Sequence, residues 1–344
     1  IEPNPGPRYV TKNINGCKDV ATWERVLLEV RREHLRDPIT AIFLQEHNIT
    51  QLSEHIKKAY SIGFEFFAAS VRGRDSRGAL YVRGGTGILI PRDKIEMLKG
   101  ETYHDATKRM RASTRQLPNG RGVAIDAIIA ERSLRLASVY AHSDREAAQR
   151  PAFFRSLRNF INKSTVLGID ANCVPDVRLD VENHSRSPYN NMGADELQDI
   201  IVEKDLIDVA REWLGESGDK PFYTSFHNVP GGLTTSTRID RIYLPNLDSM
   251  SGEHEPGVQD FFARDLDAIE LDHEPAAIRV EEATGEKGKD VIRINEKIFD
   301  SEGFNSKVQN IISEVMQNER PEVSNTWRMT WVKIKIRVKE ACVK

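Results

Sequence analysis

The segment VLGIDANCVPD, residues 166–176, begins as an apolar strand and ends as something else. Val166 to Ile169 suit a strand covered on both faces, and the run then carries Asp170 and Asn172 to its tip. A turn is one explanation, because Asp and Asn bond their own backbone and often close strands. An active site built on strand ends is the other. The remaining segments decide between them.

Apolar runs of strand length recur, separated by Gly, Pro, Asn and Asp: AIFLQEH (41–47), FEFFAAS (64–70), TGILIP (86–91), VAIDAIIA (123–130), RLASVYAH (135–142), TVLGID (165–170), RIDRIYL (238–244) and AIEL (268–271). Helical spacing lies between them. Trp23, Val26, Leu27 and Val30 share one face, with Thr22 as the expected N-cap. Phe153, Leu157 and Phe160 mark a second face, and Leu197, Ile200 and Ile201 a third. Many strands with interspersed helices and no simple βαβ period predict an α/β (α+β) chain of two packed sheets flanked by helices.

Composition narrows the class. The 344 residues are 39% hydrophobic and 29% charged, with a net charge of −3, so any nucleic-acid contact must use local basic patches. Three cysteines (Cys17, Cys173 and Cys342) without paired spacing argue against a disulfide framework and for a reducing compartment. No apolar run approaches the ~20 residues a membrane span needs. These features predict a soluble intracellular protein with no membrane partner. After Val280 the composition shifts: EEATGEKGKD (281–290) reads as a linker, and Phe304, Val308, Ile311, Ile312 and Val315 as an amphipathic helix. The tail WRMTWVKIKIRVKEACVK (327–344) alternates cationic and apolar residues and suits either a solvated face or a nucleic-acid-facing one.

Polar residues collect where strands end: Asn13 and Asn15, Glu46, Tyr140 and His142, Asp170 and Asn172, Asp272 and His273, with Asp240 inside its strand. Singly, each has an ordinary reading. Asn15-Gly16 is a turn signal, and Asp240 can pair with Arg238 or Arg241. Jointly their chemistries complement one another. Carboxylates in an oxygen-rich site suit Mg²⁺, which keeps waters and meets phosphate. A histidine held by an aspartate can stabilise a phosphoryl oxygen, and a further aspartate can activate water. The set is that of a phosphoester hydrolase; the signatures of P-loop enzymes, zinc proteases and serine hydrolases are absent.

The ordered motifs NING, LQEH, VYAH, GIDAN, TRIDRIYL and LDHEP resemble the endonuclease/exonuclease/phosphatase superfamily. They are most similar to the apurinic-type endonuclease domain of LINE-type (non-LTR) retrotransposon polyproteins, as are DLIDVAREW (205–213) and YTSF (223–226). The resemblance covers residues 8–280 and implies a deoxyribonuclease-I-like, four-layer αββα sandwich. It leaves residues 281–344 as linker and helical connector toward an absent reverse transcriptase.

The resemblance implies roles residue by residue. Glu46 is the ligand for Mg²⁺ (or Mn²⁺), with Asn13 and Asp272 beside it. Asp170 activates water, Asn172 and Tyr140 hold the phosphate, and Asp240 pairs with His273. DNA contacts fall to Arg72, Arg74 and Arg77, to Lys108, Arg109 and Arg111, and to Thr224, with a hairpin over 227–236 probing the minor groove. The implied reaction nicks double-stranded DNA and leaves a 3′-hydroxyl primer for target-primed reverse transcription, at a nuclear site of action. The reverse-transcriptase region and the element RNA are the expected partners.

Three positions depart from the family's pattern: Leu271 before Asp272-His273, the inserted Ile169, and Ala141-His142 after the strand tyrosine. His142 reads as a surface histidine or an added phosphate contact. Residues 1–7, IEPNPGP, resemble the end of a ribosome-skipping (2A-like) leader, so the chain is expected to be part of a longer polyprotein. Two rivals share the fold: a cellular abasic-site endonuclease (exonuclease III-like), and a catalytically dead DNA-binding relic. An inositol-phosphate phosphatase would carry Trp and Cys around the strand aspartate, and TSTRIDRIYL has neither.

Overall fold

The computed structural model describes residues 6–17, 19–70, 73–74, 80–81, 84–182, 190–208, 210–211, 223–229, 233–246, 258–262, 273, 275–280, 306 and 308–314. The chain divides into two compact units, Ile1–Ala283 and Thr284–Lys344. In the second, residues 308–314 are helical, with Val308, Ile311 and Ile312 half-buried and the residues between them exposed. That agrees with the expected amphipathic helix; Phe304, Val315, the linker and the basic tail lie outside the described residues.

The first unit begins β1 (Arg8–Asn13), α1 (Val20–Arg36), β2 (Ala41–Gln45), α2 (Leu52–Ile62), β3 (Phe64–Ala69), β4 (Gly73–Arg74), β5 (Leu80–Tyr81) and β6 (Thr86–Pro91). It continues with α3 (Tyr103–Ala112), β7 (Arg115–Gln116), β8 (Gly122–Ile129), β9 (Arg132–Tyr140), α4 (Arg150–Ser156), β10 (Thr165–Asp170), α5 (Val177–Asp180) and α6 (Ala194–Glu203). It closes with β11 (Leu206–Asp208), β12 (Ser225–Val229), β13 (Leu233–Thr237), β14 (Asp240–Pro245), β15 (Val258–Phe262) and β16 (Ala276–Val280). Two six-stranded sheets result, ordered β15-β16-β1-β2-β6-β3 and β11-β14-β10-β9-β8-β7. The pairs β4-β5 and β12-β13 stand as separate ribbons.

Strand alternation distributes side chains among the layers. Tyr9, Phe43, Ile88, Ile125, Leu136, Val166, Ile242 and Ile278 form the core between the sheets, closed at one edge by Ala106 and Met110 of α3. The opposite face of the first sheet meets α1 and α2 through Trp23, Leu27, Ala59, Ile42 and Leu44. That of the second meets α4 and α6 through Phe154, Leu197, Ile200, Val139 and Ile169. At Gly168 the two sheets approach closely: a Cβ there would lie 2.4 Å from Phe43 Cβ. Small size at 168 is thus a packing requirement of the sandwich. Because Ile169 faces the helices, Gly168 and Asp170 share the inter-sheet face, and the one-residue departure still aims Asp170 between the sheets.

Three details differ from the sequence reading. The N-cap of α1 is Asp19, whose Oδ1 accepts the Thr22 N–H at 2.7 Å, so Thr22 lies inside the helix. In α4 the fully buried apolar side chain is Phe154, with Phe153 only half-buried. Strands β1 and β16, absent from the apolar runs, carry buried cations: Arg8 bonds Glu33 Oε1 at 3.0 Å and Asp37 Oδ2 at 3.1 Å, and Arg279 also meets Asp37. A charge inside a strand is tolerated there because acids at the end of α1 satisfy it. The expected strand 268–271 lies outside the described residues.

The β8–β9 turn is Ala130-Glu131, both at left-handed φ (50° and 61°), and the Glu96 carboxylate accepts both of their N–H groups. Such a turn favours Asn-Gly. Ala130→Asn with Glu131→Gly is therefore expected to stabilise the protein by about 1 kcal/mol. The urea midpoint should rise with the slope unchanged.

Candidate active site

Followed toward one end of the sandwich, the inter-sheet face turns from apolar to polar. Asn13 ends β1, Tyr140 ends β9, Asp170 ends β10 and Asp240 opens β14. Register brings them level: Asp170 lies opposite Tyr140 on one side and Asp240 on the other. Asn13, Asp170 and Asp240 are each 1–2% exposed.

Hydrogen bonds join the two sheets here. Asn13 Nδ2 donates to Asp170 Oδ2 at 2.9 Å and to Glu46 Oε2 at 3.3 Å, while its Oδ1 accepts the Asn15 N–H at 2.9 Å. Tyr140 donates its hydroxyl to the same Glu46 oxygen at 3.2 Å. The Asn172 N–H caps Asp170 Oδ1 at 3.1 Å, and Asn172 Nδ2 donates to Ala141 O at 3.3 Å. Beside this network His273 Nδ1 donates to Asp240 Oδ2 at 2.8 Å. That bond puts the proton on Nδ1, so Nε2 is the acceptor in a neutral ring and a donor in a charged one. Thr224 Oγ1 accepts the Asp240 N–H at 3.0 Å, and a β-bridge ties Ser225 to His273.

Electrostatics concentrate on Asp170. Burial, and then the neighbouring Asp240 carboxylate, push its pKa above the usual carboxylate range, against the pull of His273 and of the bonds from Asn13 and Asn172. Burial, Asp170 and Glu46 likewise raise the Tyr140 phenol, which stays a neutral donor. Asp240 Oδ1 is buried with no hydrogen-bond partner among the described residues. One oxygen from each of Asp170 and Asp240 and a His273 nitrogen lie within 4.8 Å of one another. The Glu46 carboxylate, joined to Asp170 through Asn13 Nδ2, adds a third acid to these two buried carboxylates, and so oxygen-rich a strand end fits a hard divalent cation held by Glu46.

The expected site residues Asn13, Glu46, Tyr140, Asp170, Asn172, Asp240 and His273 are thus brought together. Leu271 and Asp272 lie outside the described residues, as do Arg72 and Arg77; Arg74 lies in β4. Arg109 forms a two-bond pair with Glu101, and Arg111 pairs with Glu65. Glu65 sits opposite Ile90, at the end of the first sheet away from Gln45 and Thr86, so this basic run, Lys108 included, does not join the cluster. Thr224 is fully buried and holds the Asp240 backbone instead of offering a surface contact. His142 is neither a surface histidine nor part of the cluster: it is 9% exposed, bonds Glu146 at 2.9 Å and stacks edge-on against Phe153. Arg238 and Arg241 pair with Asp180 and Asp208, leaving Asp240 to His273. The 227–236 segment is a hairpin as expected, β12 paired with β13, its tip outside the described residues.

Sequence reasoning missed the supports. Gln45, fully buried, donates to Thr11 Oγ1 at 3.0 Å, to Ser138 Oγ at 3.2 Å and to Gly168 O at 3.4 Å, spanning both sheets beneath the site. The Arg121 guanidinium lies 5.4 Å from the centre of the Tyr140 ring and donates to Ala141 O at 3.1 Å. Burial holds His47 neutral, its pKa lowered to about 4. Gln45 and His47 flank Glu46 in LQEH, and a polar residue at each of two positions beside a metal-ligand candidate was the available signal.

Two six-stranded sheets face to face, helices outside both, and polar strand tips at one end make this a deoxyribonuclease-I-like nuclease fold. An AP endonuclease from Archaeoglobus fulgidus superposes with TM-score 0.54 at 16% identity, over 80% of this chain and 100% of its own. AP endonuclease LMAP from Leishmania major does so with TM-score 0.56 at 14% identity, over 82% and 90%. The endonuclease domain of TRAS1, a telomere-specific non-LTR retrotransposon, gives TM-score 0.47 at 13% identity, over 80% and 99%. No protein-family model matches the sequence, and no curated protein does. Among the described residues no helix is long and apolar enough to cross a membrane.

Proposed function

We propose that this protein is a divalent-metal-dependent DNA endonuclease that nicks one strand of duplex DNA by phosphodiester hydrolysis. The observation that carries this reading is the network in which Asn13 Nδ2 joins Glu46 to Asp170 across the two sheets, beside the Asp240–His273 pair. Glu46, with Asn13 and Asp272, would hold Mg²⁺ (or Mn²⁺); bound there, the cation supplies positive charge to the phosphate oxygens. Asp170, held by Asn13 and the Asn172 N–H, accepts a proton from the attacking water; its raised pKa makes it the stronger base. Asn172 and the Tyr140 hydroxyl hold the phosphate. His273, its ring fixed by Asp240, donates from Nε2 to the charge that grows on phosphorus. The P–O3′ bond breaks, the 3′ oxygen leaves and takes a proton from solvent water to become a hydroxyl, and the 5′-phosphate keeps the oxygen of the attacking water. Such a 3′-hydroxyl is the primer end that target-primed reverse transcription requires, in keeping with the retrotransposon-like motifs and with work at a nuclear site.

Supercoiled-plasmid nicking in Mg²⁺ tests this. Native protein is expected to nick, and Glu46→Ala and His273→Ala each to lose at least about 10²-fold. Equal nicking by all three would overturn the site assignment, and inertness of all three the enzyme reading. An abasic-site endonuclease is the second reading, supported by the AP endonucleases that share the fold. It predicts that an oligonucleotide with an abasic site is cut far faster than undamaged duplex.

A further inference from the structure

The aim of Glu46 is not an outcome of its strand. In a continued β2, alternation would turn residue 46 to the face of Ile42 and Leu44, into the apolar layer under α1 and α2. Instead Glu46 takes φ +55°, a left-handed conformation uncommon for a residue with a side chain, and its Oε2 reaches Asn13 and Tyr140. Something must hold that turn.

The geometry points to His47 as a positioning residue that holds Glu46 on the metal site; the inference rests on the reading of Glu46 as a metal ligand. The His47 ring is fully buried. Its Nδ1 accepts the Ile49 N–H at 3.0 Å, so Nε2 carries the proton it shares with Thr86 O at 3.2 Å. Gly85 lies against the ring: a Cβ there would sit 2.5 Å from His47 Cε1. The surrounding backbone closes from both sides. Asn48 N donates to Gly84 O at 2.8 Å and Gly84 N to Asn48 Oδ1 at 2.7 Å, while Cys17 N donates to His47 O at 2.7 Å. Residues 46–49 are thus stapled to 84–86 on one side and to Cys17 on the other, and His47 is the side chain at the centre of the staple.

The test measures Mn²⁺ binding to the full chain without DNA, by electron paramagnetic resonance, with a thermal melt of each variant. Glu46→Gln, His47→Ala and Gly85→Ala are each expected to weaken Mn²⁺ binding by about 10-fold or more. His47→Asn keeps an acceptor for the Ile49 N–H and should lose less. Leu89→Ala, in the same apolar layer, should lower the melting temperature and leave Mn²⁺ binding unchanged. Native-like affinity in His47→Ala, or in Glu46→Gln, would overturn the inference, as would an equal loss in Leu89→Ala. A protein that binds Mn²⁺ in this pattern yet nicks no DNA would overturn the endonuclease reading and leave the role of His47 standing.

Discussion

Asp170→Asn is expected to cut plasmid nicking by about 10³-fold or more and, at the same time, to raise the melting temperature. The loss follows from the proposed chemistry. An amide cannot take a proton from water, and general-base and electrostatic contributions of this kind span about 10²–10⁴-fold. The gain follows from the ground state. Asp170 is buried, its pKa is raised by burial and by the nearby Asp240 carboxylate, and the asparagine carries no charge to desolvate. Relief of that repulsion, less the loss of one of the two bonds that Asp170 accepts from Asn13 Nδ2 and the Asn172 N–H, should stabilise the metal-free protein by up to about 1 kcal/mol. The two readouts move in opposite directions, which separates a functional carboxylate from a structural one. A structural Asp170 would lose stability and activity together. The measurements are nicking rate in Mg²⁺ and a thermal melt in chelator.

How far the sequence carried this reading depends on what each position needs to be visible. The sandwich was legible because apolar runs of strand length signal strands covered on both faces and helical stripes each name a buried face. Asp170 and Asn172 were legible because they interrupt one such run at its tip. Strands β1 and β16 were not, since Arg8 and Arg279 break their apolar pattern and the acids that satisfy them lie far away in sequence. The partner of Asp240 was not legible from local spacing; the family resemblance supplied it, and His273 Nδ1 does lie 2.8 Å from Asp240 Oδ2. Local spacing offered Arg238 and Arg241, and only the fold commits both to Asp180 and Asp208. The basic run 108–111 shows what a run of cations leaves out: two of the three are engaged by acids from outside the run, Arg111 by Glu65 and Arg109 by Glu101. Charge runs report composition, whereas the partners that neutralise them are set by tertiary structure.

Asp208→Ala is the substitution expected to cost the most stability, about 3–5 kcal/mol at neutral pH. Asp208 accepts two bonds from Arg238, at 2.9 and 2.8 Å, and one from Arg241 at 2.6 Å. Asp180 bonds the same two arginines and Arg211. Arg238 and Arg241 are nearly fully buried, so removing Asp208 leaves two cations that water cannot reach sharing the Asp180 carboxylate. For both acids burial alone would raise the pKa; the arginines outweigh it and hold each below the ordinary carboxylate value. The sign of the pH dependence follows. A depressed folded-state pKa contributes stability above the unfolded value, about 4, and that stability is lost as pH falls through the folded one. Native protein should therefore keep this contribution from pH 5 to 8 (roughly) and lose it progressively below about pH 4. The gap between native protein and Asp208→Ala should narrow over that acid range. Urea midpoints from neutral pH down to about pH 3 measure it. A constant gap would mean that Asp208 acts by packing alone. The same cluster holds Arg238, two residues before Asp240, so Asp208→Ala should also weaken nicking under conditions where it remains folded.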